Sequence, residues 1–181
     1  MKGCAIGLSV HTGWAACVAA SGSLRAPRIE AREEIAMLGD ADRFLFHRAA
    51  EMELADAKRS VARLEEVATE RATAAIKRLL EGVRAGGNEV VACAIVAKDS
   101  PLPPLEAILS AHPRIHAAEG SFYRDVLRRA VKANRLKALL VSPKALNLVA
   151  AAALLTDAGR TFGRPWARDQ KLAALAAWSV L

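Results

Sequence analysis

Five consecutive residues, His116-Ala117-Ala118-Glu119-Gly120, form the short run of this chain best suited to chemistry. Glycine inside a helical pattern costs about 1 kcal/mol against alanine, so Gly120 calls for a reason such as close approach of a ligand or of another backbone. The competing reading makes Gly120 a loop-to-helix junction, with Glu119 near a helix N-terminus where the dipole favours a carboxylate. Arg124, about one turn beyond Glu119 or Gly120, either joins Glu119 in a pair or simply forms a surface ion pair worth less than about 1 kcal/mol. A second histidine, His11, lies in the bend Val10-His11-Thr12-Gly13, two residues after Ser9. An imidazole at a strand end can act as a base or bind phosphate, although a turn histidine is often only solvated. His47 and His112 have no partner at ligand spacing and are read as solvated. Trp166, among Arg164, Pro165 and Arg168, either stacks on a base or holds down a loop.

Charge adds a second signal. The 181 residues carry a formal net charge of +7, and the surplus is local. Between positions 114 and 144, Arg114, Arg124, Arg128, Arg129, Lys132, Arg135, Lys137 and Lys144 face only Glu119 and Asp125. Such a stretch is the electrostatic footprint of a surface that meets phosphate, and it also occurs on helices that are merely solvated. Cys4, Cys17 and Cys93 are odd in number and lack C-x-x-C spacing, which argues against a disulfide framework or a zinc-thiolate site and for buried free thiols. The chain has no G-x-x-x-x-G-K-[ST], G-x-S-x-G or H-E-x-x-H pattern. No apolar run approaches the roughly 20 residues that span a bilayer, so a soluble, cytoplasmic protein without a membrane partner is expected.

These groups must be positioned by a helix-rich α/β frame, in which alanine supplies much of the 53% hydrophobic content. Residues 4–10 and 14–20 read as two apolar strands joined by the bend at His11. Residues 28–37 alternate with period two, lapsing at Glu33, and read as a third strand with one wet face. From about 43 to 83 the spacing turns helical, with Leu54, Ala57, Val61, Leu64, Ala68, Ala75 and Leu79 on one stripe. So long a helix is expected either to break near 56–60 or to project and pair with another helix. Residues 89–97 form a buried strand, 105–111 a short helix that His112-Pro113 interrupts, 115–134 a further helix, and 138–141 the last strand. Ser142-Pro143 reads as the cap and first residue of a helix reaching about 157, and a final helix covers 168–180.

Three segments carry a resemblance. Ala5 to Ala15 (AIGLSVHTGWA), Leu139 to Leu146 (LLVSPKAL) and Asp169 to Trp178 (DQKLAALAAW) resemble the first strand and turn, the last strand and the closing helix of the Holliday-junction resolvase branch of the ribonuclease H-like superfamily. The element order is also similar to that fold. The resemblance implies one domain over residues 1–181: a mixed five-stranded sheet with the first three strands antiparallel, then helical crossovers, flanked by helices, with one long helix between strands three and four. Enzymes of that superfamily gather three or four carboxylates around two magnesium or manganese ions about 4 Å apart. Here the first-strand position is Ser9, the fourth strand ends at Lys98 and Asp99 instead of a glutamate, and the closing helix offers Asp169 between Arg168 and Gln170, with Lys171 beyond.

The resemblance therefore implies an uncharacterised member that binds or processes nucleic acid, with an incomplete metal site. Its candidate catalytic groups are Glu119, Asp169 and Asp99, then Ser9 and His11. The three acids are the ligands of any magnesium or manganese. Its candidate phosphate contacts are Lys98, Arg124, Arg128, Arg129, Lys132, Lys144, Arg168 and Lys171. Two alternatives stand beside it: an assembly or regulatory module that dimerises through residues 43–83, and a metal-free pocket around Ser9, His11, Lys98 and Glu119 for a small anion.

Overall fold

In the computed structural model, which describes residues 2–181, the order of elements follows the sequence closely. Strands β1 (Lys2–Val10), β2 (Trp14–Ser23) and β3 (Ala26–Ala36) come first, then helices α1 (Leu45–Ala49) and α2 (Leu54–Ala85). Strand β4 (Asn88–Val96), helices α3 (Leu105–Leu109) and α4 (His112–Ala133), and strand β5 (Ala138–Val141) follow, and α5 (Ala152–Phe162) and α6 (Arg168–Trp178) close the chain. The sheet order is β3-β2-β1-β4-β5. β1, β2 and β3 pair antiparallel, whereas β4 and β5 run parallel to β1.

Period two along β1 sends Cys4, Ile6 and Leu8 into the larger core with α2 and α4, and puts Ala5 against α6. Gly7 belongs to this second face. A Cβ there would meet the Ala173 carbonyl oxygen at 1.8 Å, so α6 lies directly on the β1 backbone. Ala173, Ala174 and Ala177 keep that approach close, which explains the alanine-rich closing helix.

Three expectations are corrected. The alternation of β3 is broken by a bulge at Glu30, because Ala20 pairs with Ile29 while Ala19 pairs with Ala31. Ile29 then packs with the α6 side and Ala31 with the α2 side. The Glu30 carboxylate accepts from Ser21 Oγ and from Asn88 Nδ2, the latter at 3.0 Å. The long helix breaks before Leu54, at residues 50–53, not at 56–60. No proline or glycine marks the break. Leu45, Phe46 and Ala49 on α1, and Ala57, Leu64, Ala68, Ala72 and Ala75 on α2, are both buried stripes, and the bend lets each reach the core. The α2 stripe is thereby used inside the fold, while Leu54 remains 41% exposed.

The third correction concerns Ser142-Pro143, which begins only a 3₁₀ turn, Pro143–Ala145, with the Ser142 hydroxyl accepting from Lys144 N. Asn147 Oδ1 then accepts from Ala150 N at 3.0 Å, a local bond that competes with helix, and α5 starts at Ala152. His112-Pro113 does separate the short helix α3 from α4, with Pro113 in the first turn of α4, where its missing N–H costs nothing. Among the described residues no helix is long and apolar enough to cross a membrane.

Candidate nucleic-acid interface

The carboxyl ends of β1 and β4 meet at the centre of the sheet, where the connections leave in opposite directions, and open α/β sheets place their ligands at such a point. A cleft of about 590 Å³ lies there. Val10, His11 and Thr12 form one wall, Val96, Ala97, Lys98 and Ser100 a second, and Ala117, Gly120, Ser121 and Arg124 of α4 a third. A Cβ on Gly120 would meet nothing within 4 Å, so no neighbouring backbone explains the glycine, and its open side belongs to the cleft.

Ser9 and Asp169 come together as β1 and α6 dictate. Ser9, 4% exposed, donates to Asp169 Oδ1 at 3.4 Å. His11 Nε2 lies 2.8 Å from the same oxygen, and its ring stacks on Trp14 with centroids 4.4 Å apart. Asp169 sits in the first turn of α6, where the helix dipole favours its charge. The order of contacts matters for chemistry. In a nucleophilic triad the histidine stands between hydroxyl and carboxylate, whereas here the carboxylate is the centre and the serine proton is already directed at it.

The other expected groups separate. Glu119 is 2% exposed and its Oε1 lies 2.9 Å from His47 Nδ1, so it is neither beside Asp169 nor paired with Arg124. Arg124, 1% exposed, donates through Nε and Nη2 to the two carboxylate oxygens of Asp125 at 3.0 and 2.9 Å, and through Nη1 to the carbonyls of Lys98 and Ser100. Its role is to fasten the loop after β4 to α4, which leaves the cleft without this guanidinium as an exposed phosphate contact. Asp99 lines a neighbouring hollow of about 530 Å³ with Asp125, Arg128 and Arg129, and Arg124 forms the wall between that hollow and the cleft. Arg128 lies 3.8 Å from Asp125, and Arg129 pairs with Glu65. Lys98, Lys132, Lys144 and Arg168 are exposed and Lys171 is half-buried.

Trp166 holds a loop. Its Nε1 donates to the Leu155 carbonyl at 2.7 Å and its ring covers Gly159, while Arg32 donates to the carbonyls of Gly163, Arg164 and Pro165. One constellation escaped the sequence. His47, which is paired to Glu119, meets His112 and His116, with ring centroids 4.5 to 5.3 Å apart. The usable signal was the i, i+4 spacing of His112 and His116 on one helix face. His47 arrives from α1, far away in sequence.

No protein-family model and no curated protein sequence matches the chain. Among solved structures it is similar to RuvC of Thermus thermophilus in complex with a Holliday junction substrate, with a TM-score of 0.57 at 10% identity, over 97% of this chain and 90% of that one. A second structure of Thermus thermophilus RuvC gives a TM-score of 0.54 at 9% identity, over 99% and 92% of the two chains. The mixed five-stranded sheet with flanking helices and the structural agreement over nearly the whole length lead to one conclusion: the chain has the ribonuclease H-like fold of RuvC.

Proposed function

We propose that this protein binds branched or single-stranded nucleic acid along the cleft at the carboxyl ends of β1 and β4, without hydrolysing it by two-metal chemistry. The observation that carries the binding is the surface itself. The cleft, with Lys98 on its wall, abuts the hollow of Arg128 and Arg129, and the 3₁₀ turn bearing Lys144 borders it at Pro143. Cations in this arrangement engage successive phosphates, and phosphate contacts position a nucleic acid without reading its bases. Gly120 leaves room for a backbone to approach. The choice of branched DNA as first probe follows from the RuvC neighbour, whose complex contains a Holliday junction.

The carboxylates present do not fit a pair of magnesium or manganese ions, which need several anionic oxygens converging from different elements. Of the expected acids only Asp169 stands at the strand ends, with a neutral hydroxyl and an imidazole against it. Glu119 is bonded to His47, and Asp99 belongs to the adjoining hollow. No hydrolytic step is assigned to such ions.

The test is binding of a labelled four-way junction, a single strand and a duplex at rising salt. The logarithm of affinity should fall linearly with the logarithm of salt, and Lys98→Ala or Lys144→Ala should each reduce that slope by about one. Absence of binding at low salt, or binding indifferent to salt, overturns the proposal. Cleavage in magnesium or manganese that Asp169→Asn abolishes would overturn its second half.

A further inference from the structure

We propose that His47, His112 and His116 form a binding site for one divalent transition-metal ion, with zinc as the chemical type and Glu119 as the group that orients His47. The donor atoms of the three imidazoles lie within 4.8 Å of one another, the one such group of three metal-capable side chains among the described residues. Zinc binds imidazole nitrogen at roughly 2.0–2.1 Å, which sets the nitrogens of a tetrahedral site about 3.3 Å apart, so the three rings would have to turn inward to close on one ion. Three histidines with no thiolate or carboxylate suit zinc and its neighbours far better than magnesium or calcium, which demand oxygen.

Glu119 distinguishes this cluster from histidines that happen to be adjacent. A buried carboxylate is costly unless paired, and its partner here is Nδ1 of His47 at 2.9 Å. Donation of the Nδ1 proton to Glu119 leaves the lone pair of a neutral ring on Nε2, the tautomer a metal requires. A carboxylate behind a ligating histidine both fixes the ring and raises its basicity. His112 and His116 come from one face of α4 at i, i+4, and His47 comes from α1, so the ion would join two elements that are separate in sequence.

Both α4 histidines are exposed. The fourth position of a tetrahedral site is therefore open to water, as in sites that do chemistry, not closed as in purely structural ones. At 3.6 residues per turn the ligand face lies roughly a quarter of a turn around α4 from the face formed by Ala117 and Gly120, which lines the cleft. Site and cleft thus share one helix without sharing residues, and this inference stands apart from the nucleic-acid reading.

The experiment titrates zinc and cobalt(II) into the untagged full-length chain after chelator treatment. Expected are one equivalent bound and a cobalt spectrum of tetrahedral intensity without a thiolate charge-transfer band. His112→Gln and His116→Gln, both at exposed positions, should abolish stoichiometric binding with no change in melting of the metal-free protein. Glu119→Gln should weaken binding by about 10- to 100-fold while keeping the stoichiometry. Absence of saturable binding, binding unaltered in the His112→Gln/His116→Gln double variant, or a thiolate band that places cobalt on the cysteines would each overturn the proposal. Should Glu119→Gln fail to fold, the two exposed histidine variants decide the matter alone.

Discussion

The Arg124 guanidinium donates to both oxygens of Asp125 and to two main-chain carbonyls, a set of bonds that only a planar fork can make at once. Arg124→Lys should therefore lower the stability by about 2 kcal/mol in urea unfolding, since a lysine head cannot replace the lost charge-assisted bonds. An unchanged urea midpoint would show that the loop after β4 is held by something else. At the same scale, Lys98→Ala should leave stability unchanged and act only on nucleic-acid affinity, which separates a phosphate contact from a structural cation. The sequence made both residues look alike, two cations in a basic neighbourhood. Burial is what divides them, and burial depends on where α4 lands on the sheet. Ser9, His11 and Asp169 were easier to place, because a strand end and a helix start have fixed addresses once the element order is known. The histidine cluster was hidden for the opposite reason: His47 lies on a five-residue helix whose break from α2 has no proline or glycine to announce it.

Among the elements, α6 and β1 meet backbone to backbone at Gly7. Gly7 allows the helix backbone to rest on the strand, and a methyl group there would collide with main-chain atoms that no rotamer change can move aside. Gly7→Ala should cost at least about 2 kcal/mol, at the upper side of what overpacking usually costs, measured as a fall in the urea midpoint. A neutral result would mean that α6 can lift from the sheet freely. The order of elements was largely legible, from apolar runs bounded by turn residues for β1, β2 and β4 and from the three-to-four spacing of α2, while the arrangement of the sheet came from the resemblance to the ribonuclease H-like fold. Deviations came where one local bond or a tertiary demand outweighed the pattern. The bulge at Glu30 is one such place, with its carboxylate claimed by Ser21 and Asn88. The delayed start of α5 is another, where Asn147 bonds its own backbone.

The molecule as a whole should weaken in alkali. Burial pushes the thiol of Cys4 up to about 11 and that of Cys93 up to about 12, and it raises Cys17 well above the ordinary thiol value of 9.0. Tyr123 is also raised, first by burial and then by the charges of Glu119 and Asp42. Native thiols thus keep protons that the unfolded chain releases, so the unfolded state binds fewer protons and stability declines as pH rises. The contribution is complete below the unfolded thiol value and is lost from about pH 9 upward, toward the raised native values. Melting temperature measured from pH 8 to 11 should fall, and Cys17→Ala with Cys93→Ala should flatten that fall. A pH-independent melting temperature would contradict this. The contact of α6 with β1 also has a bearing on how the site can change. The backbone contact at Gly7 fixes how α6 sits on β1 two residues before Ser9, so the placement of positions 9 and 169 depends little on the side chains those two positions carry. Ser9→Asp would accordingly put two carboxylates about a hydrogen-bond length apart, where they repel unless one takes a proton or a cation lies between them. The melting temperature of that variant should rise with magnesium while that of the parent does not, making ion dependence a property that one codon can confer on an otherwise unaltered frame.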